Sequence, residues 1–329
     1  MPKLLSLCAA AIIAASSSEA VAQVKWDLTN EYAAHSLIGS GNQFFAERVK
    51  ALSDGQLLIT PHFNGSLGFK SKDVLDAVGR GAVQMGDAAF QFWSGIDPIF
   101  QLAVLPFVVP STKEAYALYE IAKPYYAKAL QKNNQYLVYV ATWPPNGVWS
   151  KRPLGSTNAL KGLKIRTTDP ASTITFRVLQ AFPQQLAWAD VIPLLATGGI
   201  EAVVASADGG ASAKMWDHVQ HFTAVEIAWA LSPLTVNKDA FDKLSESNKK
   251  ALREAAAETE ARQWKAVDER VQTNYAELRA HKVNVTTTVP AEMKSAMAKA
   301  GEPILKEWLA KAGGDGKAII DGLRKRSEK

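Results

Sequence analysis

Arg166 ends the apolar stretch Gly162-Leu163-Lys164-Ile165 and is followed by Thr167-Thr168-Asp169-Pro170. An arginine placed where a strand gives way to a turn can aim its planar guanidinium into a cleft. A carboxylate there would accept two parallel charge-assisted hydrogen bonds, which fix orientation as well as affinity. The same placement also suits an ordinary surface arginine, and the residue alone does not decide. Trp143 is the second candidate. It opens the run Trp143-Pro144-Pro145-Asn146-Gly147, in which two prolines fix the backbone and Asn-Gly makes a turn. Its ring is therefore rigidly held, either as core or as a flat wall against a ligand's carbon skeleton, with Asn146 as a hydrogen-bonding neighbour. Tyr32, at the end of the first strand-like run, and Phe90, at the end of another, can complete such a wall or belong to the core.

Enzyme signatures are missing. The chain contains no G-x-S-x-G, no P-loop, no H-E-x-x-H and no G-x-G-x-x-G after a strand; Gly79-Arg80-Gly81 lacks the third glycine. Of the five histidines, His218 and His221 are three apart and can share a helical face, but no neighbouring residue completes a metal shell. Neither a metal nor a cofactor is expected.

The elements that must position these residues begin after an N-terminal leader. Residues 1–22 carry Lys3, an apolar run from Leu4 to Ala15 and a terminal Ala20-Val21-Ala22, the layout of a cleaved secretory signal. The apolar run is short of the roughly 20 residues a membrane anchor needs. Cys8, the only cysteine, leaves with that signal, which excludes disulfides and thiol chemistry from the mature chain. Cleavage also removes Lys3 and Glu19, so the net charge stays at +5. Lys249-Lys250 and Arg324-Lys325-Arg326 are short and isolated, and they read as solvated helix faces, so nucleic acid is not an expected partner.

From Val24 the pattern alternates between strand and helix in two rounds, with a boundary at residues 143–147. This predicts an α/β protein of two lobes with mostly parallel sheets. Residues 83–93 and 184–189 are read as strands. No glycine or proline falls between Leu234 and Val289, and residues 245–282 are rich in strong helix formers. A helix there would run roughly 55 Å and bridge the lobes. A coiled-coil dimer is the competing reading, but Leu244, Ala251, Ala255, Ala256 and Trp264 make a poor heptad, so a monomer is expected. Lobe I is assigned to residues 23–147 plus roughly 233–260, and lobe II to 148–232 plus roughly 283–329. A two-lobe protein without catalytic signatures is most simply a ligand receptor.

Five blocks in order carry a resemblance: "GSLGFKSKDVLDAVGRGAVQMGDAAF", "LAVLPFVVPSTKEAYAL", "WPPNGVWSKRPL", "ALKGLKIRTTDPAS" and "VIPLLATGGIEAVVASADGG". Over about residues 30–265 the chain resembles the solute receptors of tripartite ATP-independent periplasmic (TRAP) transporters. The resemblance implies a periplasmic-binding-protein-like fold with a long helix bridging the lobes. It also implies periplasmic location, an organic-acid ligand, and small and large membrane subunits as partners. The arginine that binds the carboxylate in that family matches Arg166. The chain departs from the family in its last block. Where many relatives carry an acidic or amide residue, some with a bound metal ion, Glu201-Ala202 is followed by Val203-Val204-Ala205-Ser206. A metal-assisted keto-acid site is therefore not expected. Ser206 and the backbone of Ala207 to Gly210 are either polar donors to the ligand or a plain turn, and Trp143, Phe90 and Trp188 would suit an aromatic or other bulky acid. The rival readings are a secreted enzyme acting on a small organic acid and a receptor for another transporter or a sensor.

Overall fold

The computed structural model describes residues 23–327; the expected signal segment and Cys8 lie outside the described residues. The first half builds β1 (Val24–Asn30), α1 (Leu37–Leu52), β2 (Leu57–His62), α2 (Ser71–Gly79), β3 (Met85–Asp87), α3 (Thr112–Gln131) and β4 (Gln135–Thr142). The second round follows with β5 (Asn146–Ser150), β6 (Lys164–Thr167), α4 (Pro170–Val178), β7 (Phe182–Gln185), α5 (Val191–Thr197), β8 (Ala202–Ser206), α6 (Ala207–Ser212) and β9 (His221–Thr223). The chain then returns through β10 (Leu231–Asn237), α7 (Lys238–Asp242), α8 (Glu246–Ala280), β11 (Asn284–Thr286) and α9 (Ala291–Ser327).

The strands form two sheets, ordered β2-β1-β3-β10-β4 and β11-β9-β5-β8-β6-β7. In each sheet one strand runs against the others: β10 pairs antiparallel with both β3 and β4, and β5 pairs antiparallel with both β8 and β9. The remaining pairings are parallel, with helices supplying the crossovers. The two reversed strands are the ones the chain uses to change sheets. It crosses once from β4 to β5 through residues 143–145 and once from β9 to β10 through residues 224–230. The crossings lie side by side and are bonded to each other: Trp143 N donates to Ala230 O at 2.9 Å, Asn146 N to Ala228 O at 2.9 Å, and Ile227 N to Asn146 O at 3.1 Å. Where the ribbon enters the second sheet, Gly147 of β5 is packed against β9 and nothing larger fits; a Cβ there would lie 2.5 Å from the Phe222 ring and 2.6 Å from Thr223 O.

The third link is α8, 35 residues capped at its start by Ser245, whose hydroxyl accepts from Asn248 N. Its first part packs on α1 and β4 and its last part on α6 and β11. Arg48 of α1 holds Glu258 of α8 through two hydrogen bonds of 2.6 and 2.9 Å. The terminal α9 is broken at Gly313, where φ is 59°, and packs on α3 and α4. Among the described residues no helix is long and apolar enough to cross a membrane.

Candidate functional site

Strand alternation puts Ile165 and Arg166 on opposite faces of β6, and both are buried. Ile165 joins the apolar core, whereas Arg166, 1 % exposed, carries a charge into the space where the two sheets face each other. Arg166 Nε donates to Leu186 O and Nη1 to Val204 O, both at 3.1 Å, which fixes the plane of the guanidinium with two backbone carbonyls. Among the described residues its remaining N–H groups have no acceptor and no carboxylate pairs with it. Asp169, three residues on, is occupied elsewhere. As the N-cap of α4 it accepts from Ser172 N at 2.9 Å and Ser172 Oγ at 2.8 Å, and also takes the hydroxyl of Thr168. Burial lowers the Arg166 pKa to about 10, against the pull of Tyr32, Glu31 and Asp169, so it remains a cation at neutral pH. A buried cation without an anion is costly to keep and marks a place where an anion is wanted.

The Arg166 guanidinium faces Trp188, its Cζ 5.4 Å from the ring centroid. Tyr32 stands at 6.0 Å from Trp188 and meets Trp143 edge-on at 4.7 Å. The Trp188 turn is held by Glu31, whose Oε1 accepts from Ala189 N at 3.1 Å while Oε2 accepts from Ser71 N and Oγ at 2.8 and 2.6 Å. Together these rings and Arg166 line a small cavity of about 40 Å³. A single water needs about 10–15 Å³ on this measure, so the cavity suits a compact ligand or must widen to admit a larger one. Asn146, Thr168, Ser206 and Gly209 complete the wall on one side, and Gln91, Ala205 and Ala230 close it.

Six of the seven residues singled out from the sequence therefore converge: Arg166, Trp143, Asn146, Tyr32, Trp188 and Ser206 all line the cavity. Phe90 does not. The expected strand over residues 83–93 stops at Asp87, and a 3-10 turn over Phe90–Trp93 rotates Phe90 into the core, stacked 4.1 Å from Tyr126 and 5.4 Å from Phe100. The same turn delivers Gln91 to the cavity instead. Residues 184–189 are likewise not one strand: β7 ends at Gln185, and Trp188 opens a 3-10 turn. Ser206 caps α6, its hydroxyl oxygen accepting from Gly209 N at 3.0 Å.

A larger open groove of about 550 Å³ runs between β4 and α8, but most of its charges pair off, and Arg253, which has no ion pair among the described residues, is exposed with its Cζ 5.4 Å from the Phe241 ring centroid. Lys123 pairs with Glu260 at 2.8 Å, and Lys249 with Glu246 at 2.9 Å. Nothing in it awaits a partner as Arg166 does. Among the described residues no cluster of three histidine, cysteine, aspartate or glutamate side chains could hold a metal ion.

Residues 28–312 match the family model described as "Bacterial extracellular solute-binding protein, family 7". The chain belongs to this family. Solved family 7 relatives share its fold closely. The extracytoplasmic solute receptor DctP6 of Bordetella pertussis, which binds pyroglutamic acid, superposes with a TM-score of 0.88 at 32% identity, covering 92% of this chain and 100% of that one. A TRAP solute-binding protein from a marine metagenome, specific for pyroglutamate, gives 0.88 at 29% identity, covering 92% and 99%. The ectoine/5-hydroxyectoine-binding periplasmic protein UehA of Ruegeria pomeroyi is 25% identical over 96% of this chain and 94% of its own. The two-lobe form is shared with these solved receptors. Within it, Gln91 and Thr168 escaped the sequence reading: Gln91 because a strand pattern pointed its aromatic neighbour inward, Thr168 because it looked like part of a turn.

Proposed function

We propose that this protein is the extracytoplasmic receptor of a TRAP transporter, that it binds a compact organic acid between its lobes without chemical turnover, and that it works in the periplasm as a monomer, delivering the acid to small and large membrane subunits. The observation that carries the reading is Arg166, buried, held in place by two backbone carbonyls and unpaired in the inter-sheet cavity. An acid's carboxylate would take its free N–H groups. Trp143, Trp188 and Tyr32 would enclose the carbon skeleton, and Asn146 and Ser206 would offer further hydrogen bonds. The pyroglutamate bound by two solved relatives supports a ligand of that size and charge. Binding across the cavity would hold the lobes together, because its wall draws on both sheets.

The test is a thermal melt of the purified mature protein, freed of any co-purified ligand by unfolding and refolding. It would be run against a panel of cyclic, aliphatic and polyhydroxy acids and their uncharged amides. Ligand binding to the native state raises the melting temperature with the logarithm of concentration over dissociation constant. Shifts confined to acids, with none for the corresponding amides, are the expected result. Equal shifts for acids and amides, or none anywhere, would reject the carboxylate reading.

A further inference from the structure

Gln91 brings the cavity a second group that lacks a partner. It is 4 % exposed, it lines the same space as Arg166, and its side-chain carbonyl oxygen is buried without a hydrogen bond. No described residue pairs with its amide nitrogen either. Buried amides in folded proteins are almost always satisfied, so an orphan facing a cavity points to an occupant. Gln91 arrives from the turn after β3, whereas Arg166 arrives from β6 in the other sheet.

The charges around the cavity restrict the occupant further. Among the described residues, Arg166 is the only charged one in the lining. The acidic groups near it lie outside the lining and are hydrogen-bonded elsewhere: Glu31 to Ser71 and Ala189, Asp169 to Ser172 and Thr168, and Asp208 to Leu37 N at 2.8 Å and Arg270 at 2.5 Å. Among the described residues the lining offers one cation for one carboxylate, no second cation for a dicarboxylate and no carboxylate of its own for an ammonium group.

Resting on the carboxylate reading above, we infer that Gln91 is the specificity-determining residue of the site, and that the ligand is a monoanion whose uncharged remainder carries an amide-type donor and acceptor, as a lactam acid does. A side-chain amide and a lactam can satisfy each other through paired N–H···O bonds, and Asn146 offers a second neutral partner. A site built this way rejects an analogue lacking the polar group, because binding it would leave Gln91 buried and unpaired.

Calorimetric titration of the ligand-freed protein with four probes tests this. They are L-pyroglutamate, cyclopentanecarboxylate (a similar ring and the same carboxylate, without the amide), L-proline (the ring with an ammonium group) and L-glutamate. Pyroglutamate should bind about 10- to 100-fold more tightly than cyclopentanecarboxylate, with proline and glutamate weaker still. Gln91→Leu should shrink the preference for pyroglutamate over cyclopentanecarboxylate at least about tenfold. Equal binding of the two ring acids to the wild type would overturn the inference while leaving the carboxylate reading intact. So would a Gln91→Leu variant that weakens both in parallel, since that is what a purely structural role gives. If neither ring acid binds while another acid of the wider panel does, the inference falls and the carboxylate reading stands; if Arg166→Met leaves the affinity for a bound acid unchanged, the carboxylate reading itself fails and the inference falls with it.

Discussion

Replacing Arg166 with Met removes the guanidinium but keeps a long unbranched stem in the same slot. In the ligand-free protein two effects oppose each other. Burial holds the Arg166 pKa down at about 10 instead of its ordinary 12.5. At roughly 1.4 kcal/mol per pH decade, removing the charge relieves about 3 kcal/mol. Against this, Leu186 O and Val204 O lose their donor, at about 1–3 kcal/mol for a buried acceptor left unsatisfied. The two nearly cancel. For a chain of this length the entropy of melting is about 0.6 kcal/mol per degree, so even if both carbonyls carry the upper cost the ligand-free melting temperature should move by no more than about 5 °C. The bound state has no such compensation. Losing two hydrogen bonds to a charged group, about 1.5–3 kcal/mol each, raises the dissociation constant by 100-fold or more. With the acid at about 100 times the wild-type dissociation constant, the wild type gains about 2.7 kcal/mol, or roughly 4 °C. The variant at that concentration gains about 0.4 kcal/mol, under about 1 °C. Differential scanning calorimetry with and without the acid reads both numbers. A variant that keeps the roughly 4 °C shift refutes Arg166 as the carboxylate partner. One that melts more than about 10 °C below the wild type without ligand refutes the argument that the buried cation is held at a cost.

Three further outcomes can be measured. Asp87 is buried between Ser232 and Asn42, and burial pushes its pKa up from 3.8 to about 7 against those two hydrogen bonds. The folded state then binds more protons than the unfolded one between those values, so stability is highest at low pH and declines as pH rises through about 7, by on the order of 4 kcal/mol at most. Melting followed from pH 5 to 8.5 should show that decline, and Asp87→Asn should flatten it; an unchanged slope would assign it to another group. Gly147→Ala places a methyl group against Phe222 and Thr223 O where the crossing ribbon enters the second sheet, and should cost about 1–3 kcal/mol by urea denaturation. A wild-type midpoint would show that β5 and β9 are less tightly packed there. Asp208→Asn leaves Arg270 without its carboxylate and weakens the bond to Leu37 N that joins α6 to α1. It should raise the ligand's dissociation rate about tenfold in stopped-flow fluorescence, and an unchanged rate would mean these contacts do not hold the lobes closed.

What the sequence made legible follows from which interactions are local. The long helix was readable because 35 residues without glycine or proline, begun by a serine cap, need no tertiary information; α8 starts one residue after its expected first position and stops two before its expected last. Trp143 stood out because two prolines beside it constrain it, whereas Arg166, near the end of its strand, suited the surface equally well until the resemblance of its block to the TRAP receptors singled it out. Phe90 and Gln91 show the limit. A strand pattern and a 3-10 turn differ by the rotation of one residue, and nothing local records that β3 ends at Asp87, where its parallel partner β1 ends at Asn30. Tyr32 entered the site for a related reason: β1 stops two residues before it, and Asn30 Oδ1 accepts from Tyr32 N at 2.7 Å to turn the chain inward. Sheet order was beyond reach altogether, because β10 inserts between β3 and β4 only after five of the second sheet's six strands have been laid down.

The way the chain crosses between sheets has a mechanical consequence. Two bodies tied by one flexible segment can roll, twist and bend freely. Here the tie is a hydrogen-bonded pair of segments together with a rod of about 52 Å, at about 1.5 Å per residue, fastened to α1 on one side and α6 on the other. Twist would have to break the ribbon and roll would have to shear the rod, which leaves hinge bending as the single soft coordinate. On the receptor reading proposed above, the outer surface would register one angle, and any solute that drew the halves to the same angle would present the same exterior.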